Sequence, residues 1–206
     1  MGRVCQVTWS TEVALQNAGY RLVAGLDEAG RGALAGPVVA AAVVLPLDLQ
    51  LDVVDDSKRL LPQVREAAFE VIQRVALGIG VGDVAAEVID RINIRRGTLR
   101  AMQAAIEALP QRPEYLLIDG RDAVALPLPQ RAIVHGDQLV GSIAAASIVA
   151  KVTRDRLMRS YDAQFPGYGF AQHKGYGTAA HLQALRRLGP SPIHRHTFRG
   201  VCEMAD

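Results

Sequence analysis

Apolar positions along this chain fall into short runs, each stopped by glycine, proline or an acidic residue, with helically spaced stretches between them. Residues 20–26 form an extended apolar run that leads into Asp27-Glu28, and residues 38–45 form a second, rich in valine and alanine. The turn Gly30-Arg31-Gly32 lies between them, which predicts an antiparallel hairpin. Val64, Ala67, Ala68 and Val71 recur at helical spacing and predict a helix over 62–74. Residues 75–84 read as a third strand, and 90–109 as a helix closed by Pro110. The runs 115–118 and 132–134 stop at Asp119-Gly120 and Gly136-Asp137. Residues 142–161, Ala-rich and free of Gly and Pro, predict the strongest helix. Thr178 can cap a last helix reaching Leu188, closed by Gly189-Pro190. A hairpin and third strand followed by strands alternating with helices is the order of an α/β domain with a mixed sheet. No repeat, low-complexity tract or linker interrupts it, so residues 1–206 read as a single domain.

Composition narrows the setting. Half of the 206 residues are hydrophobic, enough for a sizeable core. The longest apolar stretch, 34–47, contains Gly36, Pro37 and Pro46 and falls short of the ~20 residues a membrane helix needs. The first twenty residues lack a basic start followed by an apolar core, so no signal peptide is expected. Cys5 and Cys202 make neither a disulfide framework nor a zinc pattern, and a reducing cytoplasm is the simplest setting. Nothing demands more than a monomer. The formal charge of +2 is unevenly spread: from Lys151 onward there are nine basic and four acidic residues, a net +5, with four of the five histidines. Such a segment suits a polyanion such as nucleic acid, or is a solvated helical surface.

Four acidic residues share one kind of position. Asp27 and Glu28 follow the first strand, Asp119 the run 115–118 and Asp137 the run 132–134, each next to a glycine-containing turn. Ends of neighbouring strands lie close, since strands are spaced ~4.8 Å apart. If these ends align, the carboxylates converge, and cations must then neutralise them. Oxygen ligands select Mg²⁺ or Mn²⁺, and two such ions suit in-line phosphodiester cleavage. The plain alternative is ordinary turn acids, because Asp-Gly and Gly-Asp are common turn dipeptides. Alternation also sends adjacent strand residues to opposite faces, so the strand is expected to end or bulge at Asp27-Glu28. A dinucleotide-binding reading of Gly30-x-Gly32-x-x-Ala35 fails, because Gly36-Pro37 and a strand follow where a helix is required.

The run Gly25-Leu26-Asp27-Glu28-Ala29-Gly30-Arg31-Gly32 and its continuation through Gly36-Pro37-Val38 closely resemble the opening motif of the ribonuclease HII family, the type 2 ribonucleases H. Asp56-Ser57-Lys58, Ile118-Asp119-Gly120, Gly136-Asp137, the helix from Ser142 to Asp155, His173-Lys174-Gly175-Tyr176-Gly177-Thr178 and Pro192-Ile193-His194-Arg195 are similar to the family's later blocks, in the same order. The resemblance implies a ribonuclease H-like fold, a central mixed five-stranded sheet flanked by helices, with a C-terminal helical part over about 160–206 that contributes to substrate binding. It implies that Asp27, Glu28, Asp119 and Asp137 form the metal-binding catalytic set for two Mg²⁺ or Mn²⁺ ions. The implied substrates are RNA–DNA hybrids and DNA duplexes with embedded ribonucleotides. Cleavage on the 5′ side of the ribonucleotide would leave 3′-hydroxyl and 5′-phosphate ends. The resemblance further implies that Gly30, Arg31 and Gly32 contact the ribose at the RNA–DNA junction and that Tyr176 lies against the adjacent deoxyribose. Physical chemistry agrees: backbone groups of a glycine turn can bond a 2′-hydroxyl, Arg31 can hold a phosphate, and an aromatic ring can pack on a sugar or base. A hairpin turn and a loop anchor are the plain readings.

Ser147, Lys151 and Arg154 share a helix face by spacing, which makes them candidates for the phosphate backbone or for a solvated stripe. Lys58 is a further phosphate candidate or a surface lysine. The four C-terminal histidines, His173, His181, His194 and His196, have no carboxylate spacing that marks a proton shuttle and read as structural or phosphate-proximal. The segment His194-Arg195-His196-Thr197-Phe198 departs from the His-Arg-Arg that relatives often carry before Ser-Phe. Two other function classes remain at this stage: a strand transferase or junction resolvase on the same fold, and a non-catalytic hybrid-binding module. The Gly-Arg-Gly and Lys-Gly-Tyr blocks disfavour the first, and the presence of all four acids disfavours the second.

Overall fold

The structure, a computed structural model, describes residues 7–46, 49, 51 and 61–204. Strands β1 (Val23–Ala29), β2 (Val38–Val44), β3 (Gly78–Val84), β4 (Tyr115–Asp119) and β5 (Gln130–Ile133) form a sheet in the order β3-β2-β1-β4-β5. β2 is antiparallel to both neighbours, whereas β1, β4 and β5 run parallel, so the sheet is mixed as the sequence predicts. The helices are α1 (Ser10–Asn17), α2 (Pro62–Val75), α3 (Ala86–Ile92), α4 (Ile94–Glu107), α5 (Gly141–Gln164), α6 (Phe170–His173) and α7 (Ala179–Leu188).

Helices cover both faces. Val38, Ala40 and Ala42 of β2 pack with Ala101, Met102 and Ala105 of α4, while Ala41 and Val43 pack with α5 and α2. This is the two-residue period of a strand. With every residue of β2 buried, the strand reads as an unbroken apolar run, as central strands covered on both sides do. Among the described residues no helix is long and apolar enough to cross a membrane.

Several elements differ from the pattern-based reading, among them the short helix α6, which the pattern did not indicate. The helix expected over 90–109 is two helices, because Asn93 takes a left-handed conformation (φ 68°) and its side chain accepts the Arg96 N–H at 3.1 Å, capping α4. Asparagine is a preferred cap. β1 does not stop before Asp27; it continues to Ala29. α1 precedes the first strand without a clear apolar period in its sequence. The predicted cap of α7 is present: the Thr178 hydroxyl accepts the His181 N–H. After α5, the chain returns to the β1–β2 connection, where Ala35 and His194 form an isolated bridge.

Candidate active site

β1 and β4 are parallel, so their C-terminal ends lie side by side, and the ladder between them stops at Leu26–Ile118. Asp119 ends β4 one residue later, and β1 carries on through Asp27 and Glu28. One carboxylate oxygen from each of Asp27, Glu28 and Asp119 lies within 4.8 Å of the others. The bulge expected at Asp27-Glu28 is absent: Asp27 and Glu28 stay in register with Ala41 and Ala40 of β2. The two acids instead start from opposite faces. Asp27 is buried under α5, while Glu28 also borders a hollow beside α4 with Thr98 and Met102. Beyond the point where β4 stops pairing with β1, the longer Glu28 side chain still brings an oxygen to the cluster.

Asp137 lies in a short 3₁₀ turn, Gly136–Gln138, just before α5. Asp119 Oδ1 accepts the Gly136 N–H at 2.7 Å and approaches the Asp137 N–H at 3.4 Å. The Asp137 carboxylate is buried and falls outside the set of three mutually close oxygens. The structure therefore joins three of the four predicted acids directly and ties the fourth to them through the backbone.

Burial pushes the Asp27 carboxyl well above the usual carboxylate range, and the charges of Glu28 and Asp119 push it further. Hydrogen bonds from the Ser147 side chain and the Glu28 N–H act the other way, the latter at 2.7 Å to Oδ1. Asp27 Oδ2 is buried with no hydrogen-bond partner, which is costly unless something satisfies it. A divalent cation does so, and a donor set made wholly of carboxylate oxygens fits Mg²⁺ or Mn²⁺. Asp27, Glu28 and Asp119 are the residues placed to hold it.

The cluster borders a cavity of about 270 Å³. Gly30, Arg31 and Gly32 line one side, and Ser147, Lys151 and Tyr176 also line it. Arg31 is half exposed and reaches Glu28 Oε1 at 3.5 Å. Ser147 is buried and directed at Asp27. Lys151 Nζ pairs with Asp155 at 2.6 Å and stands 5.7 Å from the Tyr176 ring centre. Lys58 lies outside the described residues.

Arg154 corrects the expectation of a phosphate-facing stripe. It is fully buried, and its guanidinium donates to the carbonyls of Pro37, Lys174 and Ala35 at 2.9, 2.9 and 3.0 Å. From there it also underlies the Tyr176 ring at 5.4 Å. Gly30 (φ 90°) is required above it, because a Cβ at that position would meet Arg154 Nε at 1.8 Å. Arg195, quoted in the sequence only as part of a C-terminal block, is equally buried. It donates to the carbonyls of Gly30, Arg31 and Gly36. Burial and the nearby Arg154 charge push its guanidinium down from the ordinary value. Arg195 thus fixes the Gly-Arg-Gly turn from beneath, Arg154 packs under Gly30 and ties Ala35 and Pro37 to Lys174, and both add positive potential under the groove. Charge spacing does not reveal such roles; the signal available was that Arg195 sits in a block with Pro192 and His194.

Comparisons with known proteins agree with this geometry. The family model described as Ribonuclease HII matches residues 24–201. The chain is 60% identical over 195 residues to a Ribonuclease HII of Geobacter sulfurreducens, covering 95% of this chain and 90% of that one. It is 58% identical to a Ribonuclease HII of Geobacter metallireducens, covering 95% and 92%. Among solved structures, the ribonuclease H2 of Pyrococcus horikoshii OT3 superposes with a TM-score of 0.76 at 25% identity, covering 89% of this chain and 96% of that one. The chain belongs to the ribonuclease HII family and is a metal-dependent ribonuclease H.

Proposed function

We propose that this enzyme hydrolyses the RNA strand of RNA–DNA hybrids and also nicks duplex DNA on the 5′ side of a single embedded ribonucleotide, leaving 3′-hydroxyl and 5′-phosphate ends. The observation that carries the reading is the placement of the Asp27–Glu28–Asp119 cluster in the same cavity as the Gly30–Gly32 turn and the Tyr176 ring. Asp27, Glu28, Asp119 and Asp137 would hold two divalent cations, Mg²⁺ or Mn²⁺, whose chemistry would be to activate water and neutralise charge on the leaving 3′ oxygen. The turn offers main-chain groups to the 2′-hydroxyl, the one group that separates a ribonucleotide from its neighbours. Arg31 swings from its long contact with Glu28 to a phosphate, and Tyr176 packs on the adjacent deoxyribose. Lys151 and Lys58 add positive charge along the strand. Ser147 orients Asp27.

The test is cleavage of an end-labelled DNA duplex containing one ribonucleotide, with Mg²⁺, with Mn²⁺ and with chelator. A metal-dependent nick 5′ of the ribonucleotide is expected, and Asp119→Asn is expected to lose at least about 10²-fold in rate, the scale of removing a charge-stabilising group. Cutting of a continuous hybrid without a nick at the single ribonucleotide would overturn the junction reading. Retained turnover in Asp119→Asn would overturn the acid assignment.

A further inference from the structure

The C-terminal histidines lie outside the acid cluster, yet three of them converge on the backbone that carries Tyr176. That backbone is under tight control. Lys174 and Gly175 both take left-handed conformations (φ 53° and 80°), and a Cβ at Gly175 would meet the Ala35 carbonyl at 2.4 Å. Each main-chain polar group around them is committed. The Lys174 carbonyl accepts from Arg154, the Gly175 carbonyl from Leu34 N–H, and the Tyr176 N–H donates to the His173 carbonyl. The Lys174 N–H donates to the Phe170 carbonyl, and imidazoles meet the other two groups: Gly175 N–H donates to His173 Nδ1 at 3.2 Å, and the Tyr176 carbonyl, which also accepts the Thr178 N–H at 2.8 Å, faces His181 Nδ1 at 3.0 Å.

These contacts fix the protons. A carbonyl only accepts, so His181 Nδ1 carries its proton, and Nε2 of the neutral ring is an acceptor. His194 Nδ1 accepts the Ser191 N–H at 2.9 Å, so the His194 proton sits on Nε2, which lies 3.0 Å from His181 Nε2. A single direction of donation results: Ser191 N–H to His194, His194 to His181, His181 to the Tyr176 carbonyl. A second proton on His194 would face the Ser191 N–H, and burial likewise lowers both rings, His194 to about 4. His173 stacks on His181 with centroids 4.2 Å apart, which fixes the plane in which His181 donates. The relay ends on a main-chain carbonyl, not on a carboxylate, so it moves no proton in the reaction.

We propose that His181, oriented by His194 and stacked on His173, is a positioning residue that sets where the Tyr176 ring stands in the groove, and so governs selectivity for a single embedded ribonucleotide over a continuous hybrid. The proposal rests on the reading of Tyr176 as the junction-facing ring. Among the described residues the Tyr176 hydroxyl has no hydrogen-bond partner, and its ring is placed by its backbone and by the flanking Lys151 and Arg154 cations. A shift of the carbonyl therefore passes directly to the ring.

The experiment measures kcat/KM on a DNA duplex with one ribonucleotide and on a continuous RNA–DNA hybrid, and takes the ratio. The active fraction of a preparation cancels in that ratio, so partial unfolding does not imitate the effect. His181→Asn keeps an amide donor near the Nδ1 position, whereas His181→Gln moves it out to the Nε2 position. The ratio is expected to fall about tenfold in His181→Gln and to stay within about threefold of the parent in His181→Asn, since ångström-scale misplacement costs rate steeply. Equal ratios in the two variants, or a fall on both substrates with the ratio unchanged, would reduce His181 to packing and overturn the proposal. Tyr176→Ala separates the two failures. A normal ratio there removes the junction reading and the proposal with it. A low ratio there, with a normal ratio in His181→Gln, removes the relay alone.

Discussion

Asp27 is the residue in which function and stability conflict most directly. Its carboxyl is held well above the usual range by burial and by the charges of Glu28 and Asp119. An acid whose pKa is raised on folding binds its proton more tightly in the folded state. Its contribution to stability is therefore largest at low pH and is lost as pH rises from the usual carboxylate range through the raised value. At neutral pH without metal the cluster strains the fold, and a bound cation relieves it. Asp27→Asn is expected to raise the melting midpoint of the chelator-treated protein by a few degrees, at about 2–4 °C per kcal/mol for a chain of this size, while abolishing cleavage. The parent is expected to gain more from added Mg²⁺ than the variant. A lower midpoint for the variant in chelator would show that the ionised Asp27 stabilises the fold. The strand-end position of Asp119 was legible because turn grammar marks where strands stop, whereas Asp27 and Glu28, read as following their strand, lie within β1, which runs on to Ala29. The burial of Arg154 was not, since spacing along α5 tells which residues share a face but not whether that face meets solvent or a cage of carbonyls.

The element on which the site depends most is α5, which brings Ser147 to Asp27 and Lys151 to the groove wall. Its own N-cap, Val140, offers no side-chain acceptor. Glu12, buried in α1, supplies one: its Oε1 accepts the Ser142 N–H at 2.7 Å. A carboxylate at the positive end of a 24-residue helix also opposes the helix dipole. Burial raises the Glu12 carboxyl, and the Ser142 bonds partly offset that shift. Glu12→Ala is expected to cost about 1–3 kcal/mol in urea unfolding, because it strands a buried N–H; Glu12→Gln, which keeps an acceptor, is expected to cost less than half of that. Equal losses in the two variants would assign the effect to charge or packing instead of the hydrogen bond. This dependence was hidden in the sequence because it joins residues 130 apart, and because α1 lacks the apolar period that revealed α2 and α4. The break at Asn93 was closer to legible: an asparagine between two isoleucines inside a helical pattern is a cap in the middle of a presumed helix.

At the scale of the whole molecule, the basic C-terminal quarter divides: most of its lysines and arginines reach the surface, while two arginines and two histidines turn inward. Arg195 is drawn inside to hold the Gly-Arg-Gly turn, Arg154 to tie the Ala35–Pro37 segment to Lys174, and His181 and His194 are buried as neutral rings behind Tyr176. This closure of the chain's end onto its first hairpin sets the response to acid. His194 faces His181 of α7, His173 at the end of α6, His196 on its own segment, and the Tyr168 and Phe170 rings. Burial first, then the neighbouring His181, lowers its pKa to about 4. A histidine depressed on folding contributes stability that is full above its unfolded value, ~6.5, and is lost as pH falls towards about 4. Asp27 and Glu12 act in the opposite sense, because their raised carboxyls favour the folded state as pH falls. The net profile is therefore a difference, and the histidine part is isolated by comparison. Stability of the parent, measured by urea unfolding in chelator, is expected to fall more steeply between pH 6.5 and 4.5 than that of His194→Gln, which lacks the titrating ring but keeps a donor near the His181 Nε2. The variant is expected to start lower at pH 7 and to converge on the parent as pH falls. Parallel profiles would mean that His194 accepts its proton in the folded state as readily as in the unfolded chain, and the neutral relay would not exist.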